Sequence, residues 1–284
     1  MLLFKIHGYS MVFIHREALP LGPPIIEYII ARVLKKKIIY DFDDAIWLLN
    51  TSEQNSIAGR LKFHHKVKYI CKWSWKVSCG NAFLADHARK YNQQVFINPT
   101  TIDTDYHQPG TDKASNELMT IGWTGTHSTT KYLKLLAPIF LELKKKYAIK
   151  VMVISDQPPD WDFPDYEFIE WNKEKEIDQL RRFDIGIMPL YDTIWEQGKC
   201  GFKALQYMAM GIPTIVSNVG VNKQIIKHGE NGFICDNQQG WSDCLSKLIC
   251  SKSERKTMGA AGRKTVIESY SVLANTELFL SLFA

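Results

Sequence analysis

The chain has 284 residues, 45% hydrophobic and 23% charged, within the range of a soluble globular protein with one or two cores. Its longest apolar stretches, such as Leu118 to Ile121 and Val151 to Ile154, are too short to span a bilayer, and the first residues, with His7, Gly8 and Tyr9, lack a signal-peptide pattern. The six cysteines (Cys71, Cys79, Cys200, Cys235, Cys244, Cys250) form no Cys-x-x-Cys pair or Cys/His cluster, which argues against a zinc site and a disulfide framework. A cytoplasmic protein with reduced, mostly buried thiols is expected. The formal charge of +5 is concentrated in Lys35 to Lys37, Lys62 to Lys76 and Lys144 to Lys146. Such clusters attract phosphate, nucleic acid or an anionic membrane, although a solvated helix face is the simpler reading of any single one. The stretch Lys62 to Tyr69 mixes basic and aromatic residues and also suits an interfacial segment.

In chain order, short β-branched runs alternate with amphipathic helical runs, the pattern of parallel sheets with crossover helices and hence of an α/β protein. Strands are predicted at Met11 to Ile14, Lys37 to Asp41, Trp75 to Ser78 and Gln94 to Ile97. After a break they resume at Met119 to Gly122, Lys150 to Ser155, Glu167 to Glu170, Ile185 to Met188 and Thr214 to Ser217. The polar, turn-rich stretch Asn98 to Tyr106, continued by Gly110 to Asn116, reads as an inter-domain linker. Beyond Gly232 and Phe233 helical patterns dominate: Gly240 to Ile249, Ser253 to Glu268 and Ser271 to Phe283. The expected division is an N-terminal domain over 1–110, a second domain over 111–265, and a C-terminal helix over 266–284 packing back towards the first.

The most informative segment runs from Glu196 to Thr214. A strand over Ile185 to Met188 leads into a loop, a helix is predicted to begin near Lys199, and Gly211 closes it before the next strand. A helix N-terminus after a strand is an anion site, and Lys199 would add a full charge beside its free N–H groups. Lys199 and Lys203 are spaced to share a helical face, with Gln206 close to the same stripe, so that face suits a diphosphate and a ribose hydroxyl. The other reading is a solvated outer face. The apolar turn Tyr207-Met208-Ala209 implies instead a helix buried on much of its circumference.

Gln206-Tyr207-Met208-Ala209-Met210-Gly211-Ile212-Pro213 resembles the second half of the donor-domain signature of glycosyltransferase family four, Glu-x7-Glu followed by Ala-Met-Ala-x-Gly-x-Pro. In the same order, Ile97 to Tyr106 resembles that family's inter-domain linker and Ile121-Gly122-Trp123-Thr124-Gly125 its first donor-domain strand and glycine turn. Ser217-Asn218-Val219-Gly220 and Asn231-Gly232-Phe233 resemble its later loops. The likeness covers most of residues 11 to 270. It implies a GT-B fold of two Rossmann-like domains with parallel sheets, the N-terminal one incomplete, and a retaining transfer of sugar from a nucleoside-diphosphate sugar. Aligning Gly201 with the motif glycine places Gly198 at the first glutamate, which in the family contacts the transferred sugar. Gln206 falls at the second, which binds ribose and whose role an amide can take. Glu196 is close enough to replace the first glutamate. The family's phosphate-binding arginine is absent, leaving Lys131 and the amides from Gly125 to Thr130. The donor-binding candidates are therefore Gly125, Thr126, Lys131, Glu196, Lys199, Lys203 and Gln206.

Lys37 to Trp47 is a strand ending in Asp41, Asp43 and Asp44, at the strand end where doubly wound sheets bind ligands. Three carboxylates this close imply solvation or pairing, a raised pKa in one of them, or contact with a sugar hydroxyl or cation. A helix N-terminus capped by Asp43 or Asp44 fits the same residues. The resemblance implies that Asp43, with Asp44 beside it, lies next to the reacting sugar, and His15, ahead of Arg16 and Glu17, lines the same edge. These are the catalytic candidates. Asp41 and Asp43 have Asp-x-Asp spacing but lie in the acceptor half, so no metal or other cofactor is expected. The resemblance implies a glycan or lipid-linked acceptor in surface-polysaccharide synthesis and no nucleic acid, with the chain cytoplasmic and in peripheral contact with the inner membrane face. Few residues precede Val12, where the family has further αβ units. Two rivals follow: a non-catalytic nucleotide-sugar-binding fragment or subunit that needs a partner chain, and a GT-B epimerase or phosphorylase.

Overall fold

The computed structural model describes residues 6–48, 63–110 and 118–284, so Lys62 and linker residues 111–116 lie outside the described residues. The chain divides into two compact units, one formed by Met1–Thr100, Thr193–Cys200 and Asn275–Ala284, the other by Thr101–Asp192 and Gly201–Ala274. The stretch just after Thr100 thus belongs to the second unit. Ile102 explains this. Its side chain is buried with Leu205, Met208 and Val266, its N–H donates to the Tyr270 carbonyl (2.8 Å), and its carbonyl accepts from Val272 (3.1 Å). Residues 266–274 likewise fall in the second unit, and only Asn275–Ala284 groups with the first.

The first unit holds a parallel four-stranded sheet in chain order: β1 (Met11–His15), β2 (Lys37–Phe42), β3 (Lys76–Cys79) and β4 (Val95–Ile97). Alternation along the strands sends Ile14, Ile38, Tyr40, Phe42, Val77 and Cys79 to one face. There they form a core with Val67, Ile70 and Cys71 of the Lys66–Trp73 helix and with Leu84, Ala85 and Ala88 of the Ala82–Arg89 helix. On the opposite face Phe13 meets Phe279 and Phe283 at centroid distances of 6.0 and 6.1 Å. Lys76 Nζ donates there to the carbonyls of Ser281 (2.9 Å) and Ala284 (3.1 Å). The C-terminal segment therefore covers part of that face, and His15, Asp41 and Ser78 lie on it at the carboxyl ends of the strands.

The second unit is a six-stranded parallel sheet in the order β10 (Phe233–Cys235), β9 (Thr214–Ser217), β8 (Ile185–Met188), β5 (Met119–Thr124), β6 (Ile149–Ser155) and β7 (Glu167–Glu170). Numbered within the unit, this is the Rossmann order 3-2-1-4-5-6, with its direction of winding reversing between β5 and β8. Apolar residues cover both faces: Trp123, Val151 and Val153 pack on Phe140 and Leu143 of the Ala137–Lys146 helix, while Met152 and Ile154 pack with Phe183 and Tyr207. Gly122 and Gly186 are register partners at the reversal. A Cβ on Gly122 would fall 2.0 Å from the Phe183 ring and one on Gly186 2.5 Å from Tyr207, so the two bare strands are what admits both rings.

Every strand read from the sequence is present to within two residues, and β10 is an addition whose three residues are too short to show a period. The late helices differ more. Gln238–Cys250 starts earlier than expected because Asn237 caps it, accepting from Gly240 N (2.9 Å), and Ser251 rather than Ser253 caps Lys252–Thr265. The expected helix from Ser271 to Phe283 is reduced to Thr276–Leu280 and a 3-10 turn, Ser281–Phe283. Ser271 is drawn into a bridge with Ile102, and its hydroxyl accepts from Ala274 N (3.0 Å), a local bond that competes with helix. Five of the six cysteines are buried and all are free thiols. Among the described residues no helix is long and apolar enough to cross a membrane.

Candidate functional site

In open α/β sheets, ligands bind outside the carboxyl ends of the strands where the strand order reverses. In the second unit that place is the end of β5, occupied by Thr124 and Gly125. A Cβ on Gly125 would lie 2.5 Å from the Trp123 ring and 2.6 Å from Lys203 Cε, so glycine here lets the lysine stem lie across the strand end. Lys203 Nζ stands 5.4 Å from the Trp123 ring centroid. Lys203 belongs to the first turn of the Phe202–Ala209 helix. Gly201, at φ +74°, makes the preceding turn, and a side chain there would strike Ile225 as well as being strained.

The helix therefore starts three residues later than expected. Lys199 sits before the Gly201 turn in extended backbone and belongs to the first unit, so Lys199 and Lys203 do not share a helical face. Gly211 ends the helix, as its position before Ile212-Pro213 predicts. Gly211 (φ +69°) donates to Met208 O (2.9 Å) and Ile212 to Tyr207 O (2.9 Å), the paired bonds of a Schellman cap. Gln206 is buried and turned to other partners: its Nε2 donates to Glu176 Oε1 (3.2 Å) and lies 3.4 Å from His107 Nε2.

Tyr207 has a role that its apolar setting concealed. Its hydroxyl oxygen accepts the buried Thr124 N–H (2.9 Å), pinning β5 one residue before Gly125, and burial pushes its phenol well above the usual range. Tyr207→Phe keeps the ring and strands that N–H, which should cost about 1–3 kcal/mol in a urea melt. No loss would mean that Thr124 finds another acceptor.

The loop after Gly125 offers fewer amides than expected. Gly125 N donates to Ile154 O (3.0 Å), Thr129 N to Thr126 O (2.9 Å), and His127 N to Asp156 Oδ1 (2.6 Å). The same carboxylate holds His127 Nδ1 at 2.6 Å. Thr126 Oγ1 pairs with Ser128 Oγ (2.9 Å). Lys131 is exposed in the 3-10 stretch His127–Leu135, and its carbonyl accepts from Tyr191 OH (3.1 Å). Burial tends to raise the Asp156 carboxyl, and the bonds from His127 outweigh this and hold it below the ordinary aspartate range.

In the first unit, the end of β2 carries an ordered charge network. Asp43 Oδ1 accepts from Arg16 Nε (2.8 Å), and Asp44 Oδ2 from Arg16 Nη2 (2.9 Å). Lys199 Nζ donates to Asp44 Oδ1 (2.8 Å), so its charge is engaged with a carboxylate of its own unit. His15 Nδ1 lies 2.7 Å from Asp41 Oδ2, and Ser78 Oγ donates to Asp41 Oδ1 (2.6 Å). Residues 43–48 form bends and turns, which removes the helix-cap reading of Asp43 and Asp44. Arg16 adopts φ +60°, a conformation that non-glycine residues avoid, and its N–H donates to Asp41 O (2.7 Å). Arg16 and Ser78 were outside the expected set. Arg16 was visible only as a neighbour of His15, and Ser78 has no sequence signal at all.

Burial pushes the Asp43 carboxyl up, but the hydrogen bond and charge of Arg16, with a smaller contribution from His15, outweigh it and leave it below its ordinary value. The raised carboxyl pKa expected from crowding is therefore not found at Asp43. Because the folded value lies below the unfolded one of about 3.9, this contribution to stability is complete above that pH and disappears as pH falls through the folded value. Asp43→Asn should flatten the acid limb of stability against pH in denaturant melts. An acid limb identical to wild type would show that the Arg16 bond carries no stability.

The segment Thr193–Cys200 packs within the first unit. Asn81 caps the Ala82–Arg89 helix through Oδ1, which accepts from Leu84 N (3.0 Å), and donates from Nδ2 to Lys199 O (3.1 Å). A Cβ on Gly80 would lie 2.4 Å from Cys200 Sγ. One on Gly198 would lie 2.8 Å from Ala45 Cβ and 3.0 Å from Ala45 N. The position where the family motif has its first glutamate thus has no room for a side chain. Glu196, two residues earlier, is buried in the turn Glu196–Gly198 and accepts from the Thr193 hydroxyl.

Two parallel Rossmann-like sheets, the second with a glycine turn and a lysine at its reversal point, define a GT-B fold. Residues 119–251 match the family model Glycosyl transferases group 1. The chain is 26% identical over 121 residues to Spore coat protein SA of Bacillus subtilis, covering 41% of this chain and 31% of that protein. It is 37% identical over 78 residues to the Alpha-1,3/1,6-mannosyltransferase of Homo sapiens, covering 27% of this chain and 19% of that one. The matched stretches thus span about a third or less of these curated relatives. Among solved structures, Anabaena HepE in complex with UDP-glucose superimposes with a TM-score of 0.73 at 11% identity, covering 99% of this chain and 80% of that one, a likeness of fold.

Proposed function

We propose that this protein transfers a sugar from a nucleoside-diphosphate sugar to a glycan or lipid-linked acceptor with retention, in the synthesis of a cell-surface polysaccharide. The observation that carries the reading is Lys203 laid across Gly125 at the reversal point of the family-matched unit. In this reading Lys203, with Lys131 and Thr126 nearby in sequence to Gly125, meets the charge that develops on the leaving diphosphate, and no metal is needed. Gln206 serves the ribose after release from Glu176 or His107. Asp43, Asp44 and His15 form the acceptor side. The exposed Leu21, Ile25, Tyr28 and Tyr69, with Lys68 against Tyr69, support peripheral contact with the inner membrane face.

A second reading, a nucleotide-sugar-binding subunit without turnover of its own, is favoured by the closed position at Gly198. One experiment separates them. A panel of nucleoside-diphosphate sugars, beginning with UDP-glucose because the HepE structure holds it, is screened by thermal shift and then for donor hydrolysis. Stabilisation with turnover supports the transferase, stabilisation without turnover the binding subunit. No stabilisation by any donor would remove both.

A further inference from the structure

Glu176 is a partly buried carboxylate of the second unit that stands outside the donor-binding candidates. Asn172 Oδ1 accepts from Glu174 N (2.9 Å) and Lys175 N (3.3 Å), the Asx turn that leads into the Glu176–Leu180 helix. That turn hangs from the carboxyl ends of β6 and β7: Trp171 N donates to Ser155 O (2.9 Å), and Gln179 Nε2 to Glu170 O (3.1 Å). It therefore lies at the same end of the sheet as Gly125, whose N–H donates to Ile154 O (3.0 Å). Glu176 Oε1 accepts from Trp171 Nε1 (3.3 Å) and from Gln206 Nε2 (3.2 Å). Gln206 and His107 are both buried. Asp103 O can only accept, so His107 donates to it from Nδ1 (3.0 Å) and offers its Nε2 lone pair to the Gln206 amide (3.4 Å). Both hydrogens of that amide thus face acceptors, which fixes its nitrogen towards Glu176. Among the described residues no hydrogen bond is made by Glu176 Oε2.

We propose that Glu176 supplies the carboxylate that binds the ribose 2′- and 3′-hydroxyls of the donor nucleotide, in place of the motif glutamate whose position Gln206 occupies. The inference rests on the nucleoside-diphosphate-sugar reading above: of the two partners of Gln206 named there, Glu176 is the one kept, so that amide and carboxylate act together. The two side chains share one place in the fold, since Gln206 Nε2 and Glu176 Oε1 are in hydrogen-bond contact. A vicinal diol presents two O–H donors, and an ionised carboxylate, which only accepts, is the side chain that takes both. Trp171 and Gln206 already hold one oxygen of Glu176, so the carboxylate is oriented before a ligand arrives and Oε2 is left for the diol. The spacing suits a nucleotide. Lys203, given to the diphosphate, and Gln206 are three positions apart on one face of the Phe202–Ala209 helix, about 4.5 Å along its axis. Asp178, on the same short helix as Glu176, is no equivalent, because its carboxylate is exposed and pairs with Arg181 (2.9 Å).

Binding of UDP, ADP and GDP to the full chain, measured by titration calorimetry beside their 2′-deoxy counterparts, tests this. The nucleotide that binds wild type should bind about 10-fold or more tighter than its 2′-deoxy form, because a site built to accept a hydroxyl leaves its acceptor unpaired when that hydroxyl is missing. Glu176→Gln should weaken the ribonucleotide by a similar factor and bring the two affinities together, an effect that a purely structural tie between Trp171 and Gln206 does not produce. The double variant Glu176→Gln with Gln206→Glu returns the carboxylate to the motif position and should recover the preference, which separates loss of the charge from damage to the fold. Equal affinity of wild type for the ribo and deoxy forms would overturn the proposal. So would a folded Glu176→Gln protein that keeps the wild-type preference, and if Gln206→Ala then loses it, the ribose returns to Gln206 alone. Should none of the three nucleotides bind the wild type, the donor reading itself falls and takes the ribose contact with it.

Discussion

Lys203→Ala is expected to lower sugar transfer by about 100-fold or more, the scale of losing one preorganised donor to a developing anion. The lysine is well placed for this because glycine at 125 leaves the strand end bare: its stem packs 2.6 Å from where a Cβ would be, beside Trp123. The loss should appear in kcat/KM for the donor, together with weaker thermal stabilisation by the nucleoside diphosphate alone. Gly125→Ala should act in the same direction by displacing the same side chain, without changing any charge. Wild-type turnover and donor stabilisation in Lys203→Ala would move the phosphate to Lys131 and the loop that precedes it.

Restoring the motif's first glutamate through Gly198→Glu should harm the protein. The new Cβ would fall 2.8 Å from Ala45 Cβ, 3.0 Å from Ala45 N and 3.3 Å from Leu84 Cδ2, and the contact with backbone cannot be relieved by a rotamer change. Overpacking of this kind costs about 1–3 kcal/mol, and a buried carboxylate without a partner adds to it. Denaturant melts should show the first unit destabilised, and Gly198→Ala should show a smaller loss of the same sign. A Gly198→Glu protein as stable as wild type and faster in transfer would mean that the Thr193–Cys200 segment leaves Ala45 in solution, and that the motif glutamate is absent for reasons other than space.

The signature ending in Met208-Ala209-Met210-Gly211-Ile212-Pro213 located a helix between two strands and its glycine stop, because a left-handed C-cap is a local requirement that one residue type meets. It could not place Lys199. A single left-handed turn at Gly201 separates that lysine from the helix and lets it reach Asp44, 155 positions away in sequence. The acidic cluster after β2 was legible as a charged strand end. Its partners were not, since Arg16 comes from another strand end in an unusual backbone conformation.

By itself the sequence determined the alternation of strands and helices, the α/β class, the GT-B resemblance and the candidate residues, because periodicity, turn residues and short motifs are properties of neighbouring positions. The tertiary structure alone decided which candidates meet. It brought Lys203 to Gly125 and Lys199 to Asp44, turned Gln206 to Glu176, closed the space at Gly198, and aligned Ser78, Asp41 and His15 in one row. Register between parallel strands and the packing of one backbone against another are set by residues far apart in the chain, and no local pattern encodes them.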